Sequence, residues 1–241
     1  MSPKIRLSVV IVGSVLALLL VLALALPAVG RLVQSTETVD HALPGELTAL
    51  SLEVSAGDVT VRAAAAGEAP GARATIRSGV TSPAAEVSAA GSTARLTDTC
   101  RNAWWTNCSV SWTVVVPEGA SVDVVSSVGE VTLVDLAGDI SVVSGVGGIS
   151  ATGLEGATVR TRSGVGDVTL VHAAAPDTVD IVSSTGDVHL TVPAGDTGYR
   201  IVADSSIGDV YDQVGSDPSQ SRVLEARTSV GDIFLRRADQ Q

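Results

Sequence analysis

One short phrase recurs along the chain and constrains the fold more than any other feature. Aligned on the glycine that precedes the acidic position, it reads SSVGEVTL at Gly129, SGVGGISA at Gly147, SGVGDVTL at Gly166, SSTGDVHL at Gly186, SSIGDVYD at Gly208 and TSVGDIFL at Gly231. The spacings are 18, 19, 20, 22 and 23 residues. A period of that size marks a supersecondary unit that cannot bury its apolar face alone and must stack on its neighbours. A degenerate earlier copy, VSAGDVTV, stands at Gly57.

The columns of this alignment define strands. Seven and five residues before each glycine stand Val122/Val124, Ile140/Val142, Val159/Thr161, Val179/Ile181, Ile201/Ala203 and Leu224/Ala226, with a mostly polar row between them. After the glycine the inward pair continues as Val131/Leu133, Ile149/Ala151, Val168/Leu170, Val188/Leu190 and Ile233/Leu235, and only Asp212, two residues after Val210, breaks it. Period-two alternation is the signature of a strand with one buried face. A weaker turn falls at mid-period, at Gly138, Gly156, Ala175–Pro176, Gly195 and Gly215–Pro218. The pattern predicts an all-β, repetitive β-solenoid or β-roll, in which each period contributes strand, tight corner and strand. A β-sandwich also accommodates short strands with frequent turns, but like-on-like columns are what stacked coils produce. With aromatics at 2% against 45% hydrophobic residues, the core must be built from Val, Ile, Leu and Ala.

The phrase invites chemical readings. A phosphate cradle needs a helix after its glycines, and a P-loop also needs a lysine; VTL is strand-like and no lysine follows. Ser126, Ser144, Ser163, Ser183, Ser205 and Thr228 form a hydroxyl column, yet a nucleophile needs a neighbouring base. The three histidines, His41, His172 and His189, bear no repeated relation to it. A hydrogen-bonded hydroxyl ladder is expected. Glu130, Asp167, Asp187, Asp209 and Asp232 form an acid column. Glycine with positive φ and aspartate turn chemistry explain it as a corner, and the alternative is a calcium site that relieves in-register like charges. No catalytic residue and no cofactor is expected.

The N-terminus carries a second signal. Leu7 to Leu26 is 20 residues without a charge, following Lys4 and Arg6, long enough to cross roughly 30 Å of hydrocarbon as a helix. The flanking cations place the N-terminus in the cytoplasm and the rest outside. The alternative is a cleaved signal peptide with secretion. The expected organisation is a cytoplasmic stub 1–6, a transmembrane helix 7–29, a linker 30–48, a β-repeat domain 49–237 and a tail 238–241. An irregular capping region, 62–112, interrupts the domain. Its two cysteines, Cys100 and Cys108, are the chain's only pair, and in an exported protein such a pair reads as a disulfide. Trp104, Trp105 and Trp112 supply half of the six aromatic residues. Exposed, they would anchor a partner; buried, they would close the end of the stack. A formal charge of -11 argues against nucleic acid, whose phosphates are bound through cations.

The recurrent SGVGDVTL and SSTGDVHL phrases, with VVVPEGASVDVVSS at Val114–Ser127 and LTVPAG at Leu190–Gly195, resemble a bacterial family of β-strand-repeat domains called putative adhesins, over about residues 49 to 237. The resemblance implies repetitive β architecture at the outer face of a membrane, sometimes near envelope-stress systems, and carries no catalytic residues. The expected function is a non-enzymatic, membrane-anchored adhesion or envelope-interaction module whose partner is an envelope polymer or a membrane protein. An accessory or sensor of envelope-stress signalling is the alternative. A polysaccharide-active enzyme would have to work from Arg160, Arg162 and Asp180, the one place where arginines and an acid meet on the outward row.

Overall fold

The computed structural model describes residues 35–79, 83–100 and 108–239. The apolar run Leu7–Leu26 lies outside them, and among the described residues no helix is long and apolar enough to cross a membrane. The described chain is all-β, with 19 strands in two mixed sheets of ten and nine strands.

The repeat sets the architecture. Each copy supplies one strand to each sheet, joined through its corner glycine: β8 Ser121–Val128 with β9 Val131–Val134, β10 Ile140–Val146 with β11 Ile149–Leu154, β12 Thr158–Val165 with β13 Val168–His172, and β14 Thr178–Thr185 with β15 Val188–Val192. Two further pairs follow, β16 Arg200–Ile207 with β17 Val210–Asp212 and β18 Val223–Val230 with β19 Ile233–Arg237. The degenerate copy forms β2 Ala49–Val54 and β3 Val59–Ala63, and β6 Thr93–Asp98 with β7 Ser109–Val116 forms another pair. All these pairs run parallel to their neighbours and in register, Val142 beside Val124 and Thr161, for example, apart from a shift between β11 and β13 after Ala151. The inward columns read from the sequence join into one core in which Val124, Val159, Ile181, Val168, Leu170 and Ile233 are fully buried.

Stacking order departs from chain order at both ends. The coil order in space is β6/β7, β2/β3, β8/β9, β10/β11, β12/β13, β14/β15, β18/β19, β16/β17. The last coil of the chain is thus inserted beneath the one that precedes it, and Arg200–Asp212 forms one pole. The other pole is covered by antiparallel strands: β4 Gly71–Ser78 on β7, β1 Ser35–Ala42 on β4, and β5 Ala85–Ala90 on β6. The stretch 62–112 therefore holds β4, β5, β6 and the start of β7, as well as the cysteine loop.

The corner dictates glycine. Gly57, Gly129, Gly147, Gly166, Gly186, Gly208 and Gly231 have φ between +136° and +143°, a region open in practice to glycine alone. The stack adds a second reason: a Cβ on Gly147 would lie inside contact distance of the Gly129 carbonyl oxygen, and one on Gly186 would meet Gly166.

Two measurements test these features. Replacing Gly147 with Ala combines a forbidden φ with a backbone clash, so thermal or urea unfolding should show a loss of about 3 kcal/mol or more; an unchanged midpoint contradicts the corner stack. His172 is 2% exposed, neither ring nitrogen has a partner, and burial pushes its pKa down to about 4. With an unfolded value near 6.5, the unfolded chain binds the extra proton between these limits. Stability is then held above pH 6.5 and lost as pH falls toward 4, by about 3 kcal/mol. The variant His172→Leu should lack that part of the slope between pH 6.5 and 4, measured by urea unfolding.

Candidate functional site

The acid column is a chain of backbone caps. The Asp58 carboxylate accepts the Glu130 amide at 3.1 Å, Asp167 accepts the Asp187 amide at 2.8 Å, Asp187 accepts the Asp232 amide at 2.8 Å, and Asp232 accepts the Asp209 amide at 2.8 Å. Each of these four carboxylates holds the next coil's corner, and the order follows space, with Asp232 between Asp187 and Asp209. Among the described residues no group of three or more His, Cys, Asp or Glu side chains is placed to hold a metal ion.

The hydroxyl column also serves the corner. Instead of forming a ladder among themselves, Ser144 donates to the Gly147 carbonyl and Ser163 to the Gly166 carbonyl, both at 3.3 Å, Ser205 to Gly231 at 2.7 Å and Thr228 to Gly186 at 3.2 Å. The reason is geometric: the positive-φ turn leaves a glycine carbonyl near these four hydroxyls, and a buried carbonyl left unpaired is costly; the Ser126 and Ser183 hydroxyls have no hydrogen-bond partner. Ser126, Ser144, Ser163, Ser183 and Thr228 are all buried.

Cys100 and Cys108 are joined as a disulfide with Cα atoms 5.8 Å apart, closing the crossing from β6 to β7 at the capped pole. Trp104 and Trp105 lie outside the described residues. Trp112 is 1% exposed on β7, its ring centroid 6.5 Å from that of His41, so it packs the end of the core and offers no surface. Arg162 pairs with Asp180 at 3.8 Å on an exposed face, and Arg160 stands in register with Asp180. A polar cleft of about 530 Å3 opens near the same capped pole. Its arginines are already bound, Arg62 to Glu68 at 2.5 and 2.7 Å and Arg73 to Asp40 at 2.6 Å. The Arg62 guanidinium holds the Glu68 carboxyl down at about 2, and Arg73 lowers that of Asp40.

Two surface features are left unexplained by packing. The first is a rim: the residue just before each corner glycine projects outward, so that Val128, Val146, Val165, Val230 and Ile207 are 49, 49, 50, 42 and 67% exposed. These residues, with Thr185 between Val165 and Val230, are consecutive rungs of one sheet, and the corner acids run beside them two residues on. The second is a ladder of rings. In the outward row of the other sheet Thr60, Thr132, Ser150 and Thr169 give way to His189, Phe234 and Tyr211 on the last three strands. His189 stacks on Phe234 at 4.7 Å and Phe234 on Tyr211 at 4.9 Å, both within 6° of parallel. The Asp209 carboxylate, 3.5 Å from the Tyr211 hydroxyl, raises the pKa of that phenol. The ladder has no signal in chain order, because its three residues lie up to 45 positions apart and meet in a scrambled order; the rim, which sequence reasoning also missed, has one in the Val, Thr or Ile that precedes each corner glycine from Gly129 to Gly231.

No protein-family model matches the sequence. No curated protein matches it either. Among solved structures, a putative cell adhesion protein from Clostridium sporogenes is 15% identical and covers 84% of this chain and 100% of its own, with a TM-score of 0.52. A putative adhesin from Bacteroides fragilis is 17% identical over 84% of this chain and 97% of its own, with a TM-score of 0.49. At such identity the first likeness shows a shared fold.

If the acid column is corner chemistry, Asp187→Asn should melt close to the native chain because its side-chain oxygen still accepts the Asp232 amide, whereas Asp187→Ala should lose about 1 kcal/mol. Millimolar calcium should leave the native melting temperature unchanged; a calcium-dependent rise that Asp187→Asn abolishes would show that the column holds the cation.

Proposed function

We propose that this protein is a non-enzymatic, adhesion-type interaction module of β-roll architecture, held at the outer face of a membrane by the apolar segment Leu7–Leu26. The rim carries the reading. Five large aliphatic side chains, each more than two-fifths exposed, stand in one line with carboxylates alongside. An apolar stripe bordered by charge, broken here only by Thr185, is a usual form of a contact surface. The residue types that would serve catalysis support the same reading, since four hydroxyls of the column cap glycine carbonyls and four corner carboxylates cap amides, while Ser126 and Ser183, which have no hydrogen-bond partner, are buried. The alternation of strands between two parallel ladders supports the roll, and the fold shared with the putative cell adhesion protein of Clostridium sporogenes supports the adhesion role. The disulfide agrees with an oxidising compartment.

The test uses the full chain with a tag after Gln241, expressed in a bacterial membrane. The tag should be cleaved by protease added to intact spheroplasts, and vesicles carrying the chain should be retained on surfaces coated with cell-envelope extract. The double variant Val146→Asp, Val165→Asp should reduce retention by roughly tenfold or more without altering the melting profile. A protected tag, equal retention of the variant, or hydrolysis of envelope polysaccharide by the purified chain would overturn the reading.

A further inference from the structure

The pole formed by β16 and β17 is built differently from every other part of the stack. In interior coils the corner amides donate to the next coil, Gly231 to the Ile207 carbonyl and Ile233 to the Asp209 carbonyl, both at 2.9 Å. At the pole there is no next coil. Because Asp209 and Gln213 pair toward β19, the alternate residues Val210 and Asp212 aim their amides and carbonyls outward. The Asp209 carboxylate, which in the interior would accept the next corner amide, meets only the Tyr211 hydroxyl, at 3.5 Å. Tyr211 itself ends the ring ladder. One face lies on Phe234, and with β17 at the sheet's edge and the side chain 47% exposed, the opposite face is bare. Beside the ladder lies a cavity of about 250 Å3 bordered by Gln213, Phe234 and Arg236.

We propose that this pole is a saccharide-binding site in which a pyranose ring, neutral or N-acetylated, stacks on the bare face of Tyr211 as the next rung of the His189–Phe234–Tyr211 ladder. A pyranose offers a flat C–H face for the π surface and a rim of hydroxyls that both donate and accept. The Asp209 carboxylate accepts from those hydroxyls, while the outward amides and carbonyls of Val210 and Asp212 supply the remaining donors and acceptors. Gln213 and Arg236 border the space into which a ring substituent or the next sugar would extend, and its volume suits a group of that size.

Other occupants fit less well. A partner strand would have only the three residues of β17 to pair with on this sheet, less than the usual strand length. On β16 the first outward amide, that of Ile201, is already taken by the Ser216 hydroxyl at 3.0 Å. A second copy paired antiparallel across the free amides of Ala203 and Ser205 would set Asp204 against its own equivalent, a repulsive pair. Acidic sugars are disfavoured by Asp209, Asp212 and Asp232 around the ring. The chain's own N-terminal segment joins β1, nine ladder steps away in the same sheet, about 43 Å at 4.8 Å per step. This proposal uses a surface distinct from the valine rim and does not depend on it.

The experiment is saturation-transfer NMR and calorimetric titration of the full chain in detergent or nanodiscs with tetra-N-acetylchitotetraose, maltotetraose and tetragalacturonate. Saturable binding of at least one of the first two, in preference to the third, is expected. Tyr211→Ala should weaken it by roughly tenfold or more, and Tyr211→Phe, which keeps the ring, should stay within about threefold. The proposal fails if no neutral or N-acetylated probe binds saturably, if tetragalacturonate binds best, or if Tyr211→Ala binds like the native chain. It also fails if Tyr211→Ala changes only the oligomeric state. Vesicle retention on surfaces coated with cell-envelope extract, reduced in the Val146→Asp, Val165→Asp variant and unchanged in Tyr211→Ala, reports separately on the rim.

Discussion

Everything in this molecule depends on how closely two backbones can approach at the corner. Each coil turns from one sheet to the other through a glycine whose missing Cβ leaves room for the carbonyl of the glycine beneath it, Gly147 on Gly129 and Gly186 on Gly166. That contact sets the rung spacing at the edge of both sheets together. It also explains why serine and aspartate flank the glycine. The turn exposes a carbonyl and an amide that the sheets cannot pair, the serine or threonine reaches the carbonyl in four coils, and the acid reaches an amide in four. The like charges this brings together are tolerable because the carboxylates remain at the solvent-facing corner, where screening is strong, and four of them gain an amide donor.

The aliphatic core follows from the same spacing. Columns of Val, Ile and Leu from the two sheets meet with few bulky residues between them, and the large side chains are kept to the poles and the surface. Trp112 fills the capped end, while Phe234 and Tyr211 lie outside the core near the open end. Tyr199, fully buried beside the Ser216 strap, is the exception at that end.

The strands and their buried faces were legible because period two and the corner phrase are local properties. Val122, Ile140, Val159, Val179 and Leu224 could be placed inward from spacing alone, and they are buried. Stacking order was not legible, because a column of near-identical residues fits its neighbours in any order. Inserting Val223–Arg237 beneath Arg200–Asp212 exchanges one Val or Leu contact for another. The sequence did carry indirect marks of the exchange, in the longer spacings of 22 and 23 residues and in Asp212, the one polar residue in an apolar column. Both belong to the coil that became a pole: its linkers must step over a rung and back, and its inner row, with Val210 40% exposed, faces water. The ring ladder was hidden for the same reason, since His189, Tyr211 and Phe234 become neighbours only when that order is known.

The reordering has a structural logic that applies to both ends. In a linear stack the first and last coils have a neighbour on one side only, and chain ends fray most easily. Here the first coil, Ala49–Ala63, lies between β6/β7 and β8/β9, and the last, Val223–Arg237, lies between β14/β15 and β16/β17. Each is buried on both sides, with Leu52, Val59, Leu224 and Ile233 all at 2% exposure or less. The poles are made instead from coils tethered by the chain at both ends, so their loosening is limited by loop closure. One pole is then covered by β4, β1 and β5, and the other keeps its amides, a carboxylate with no amide donor and a bare ring. The asymmetry is a consequence of locking the first and last coils of the repeat inside: the coil displaced outward becomes the surface on which something else can stack.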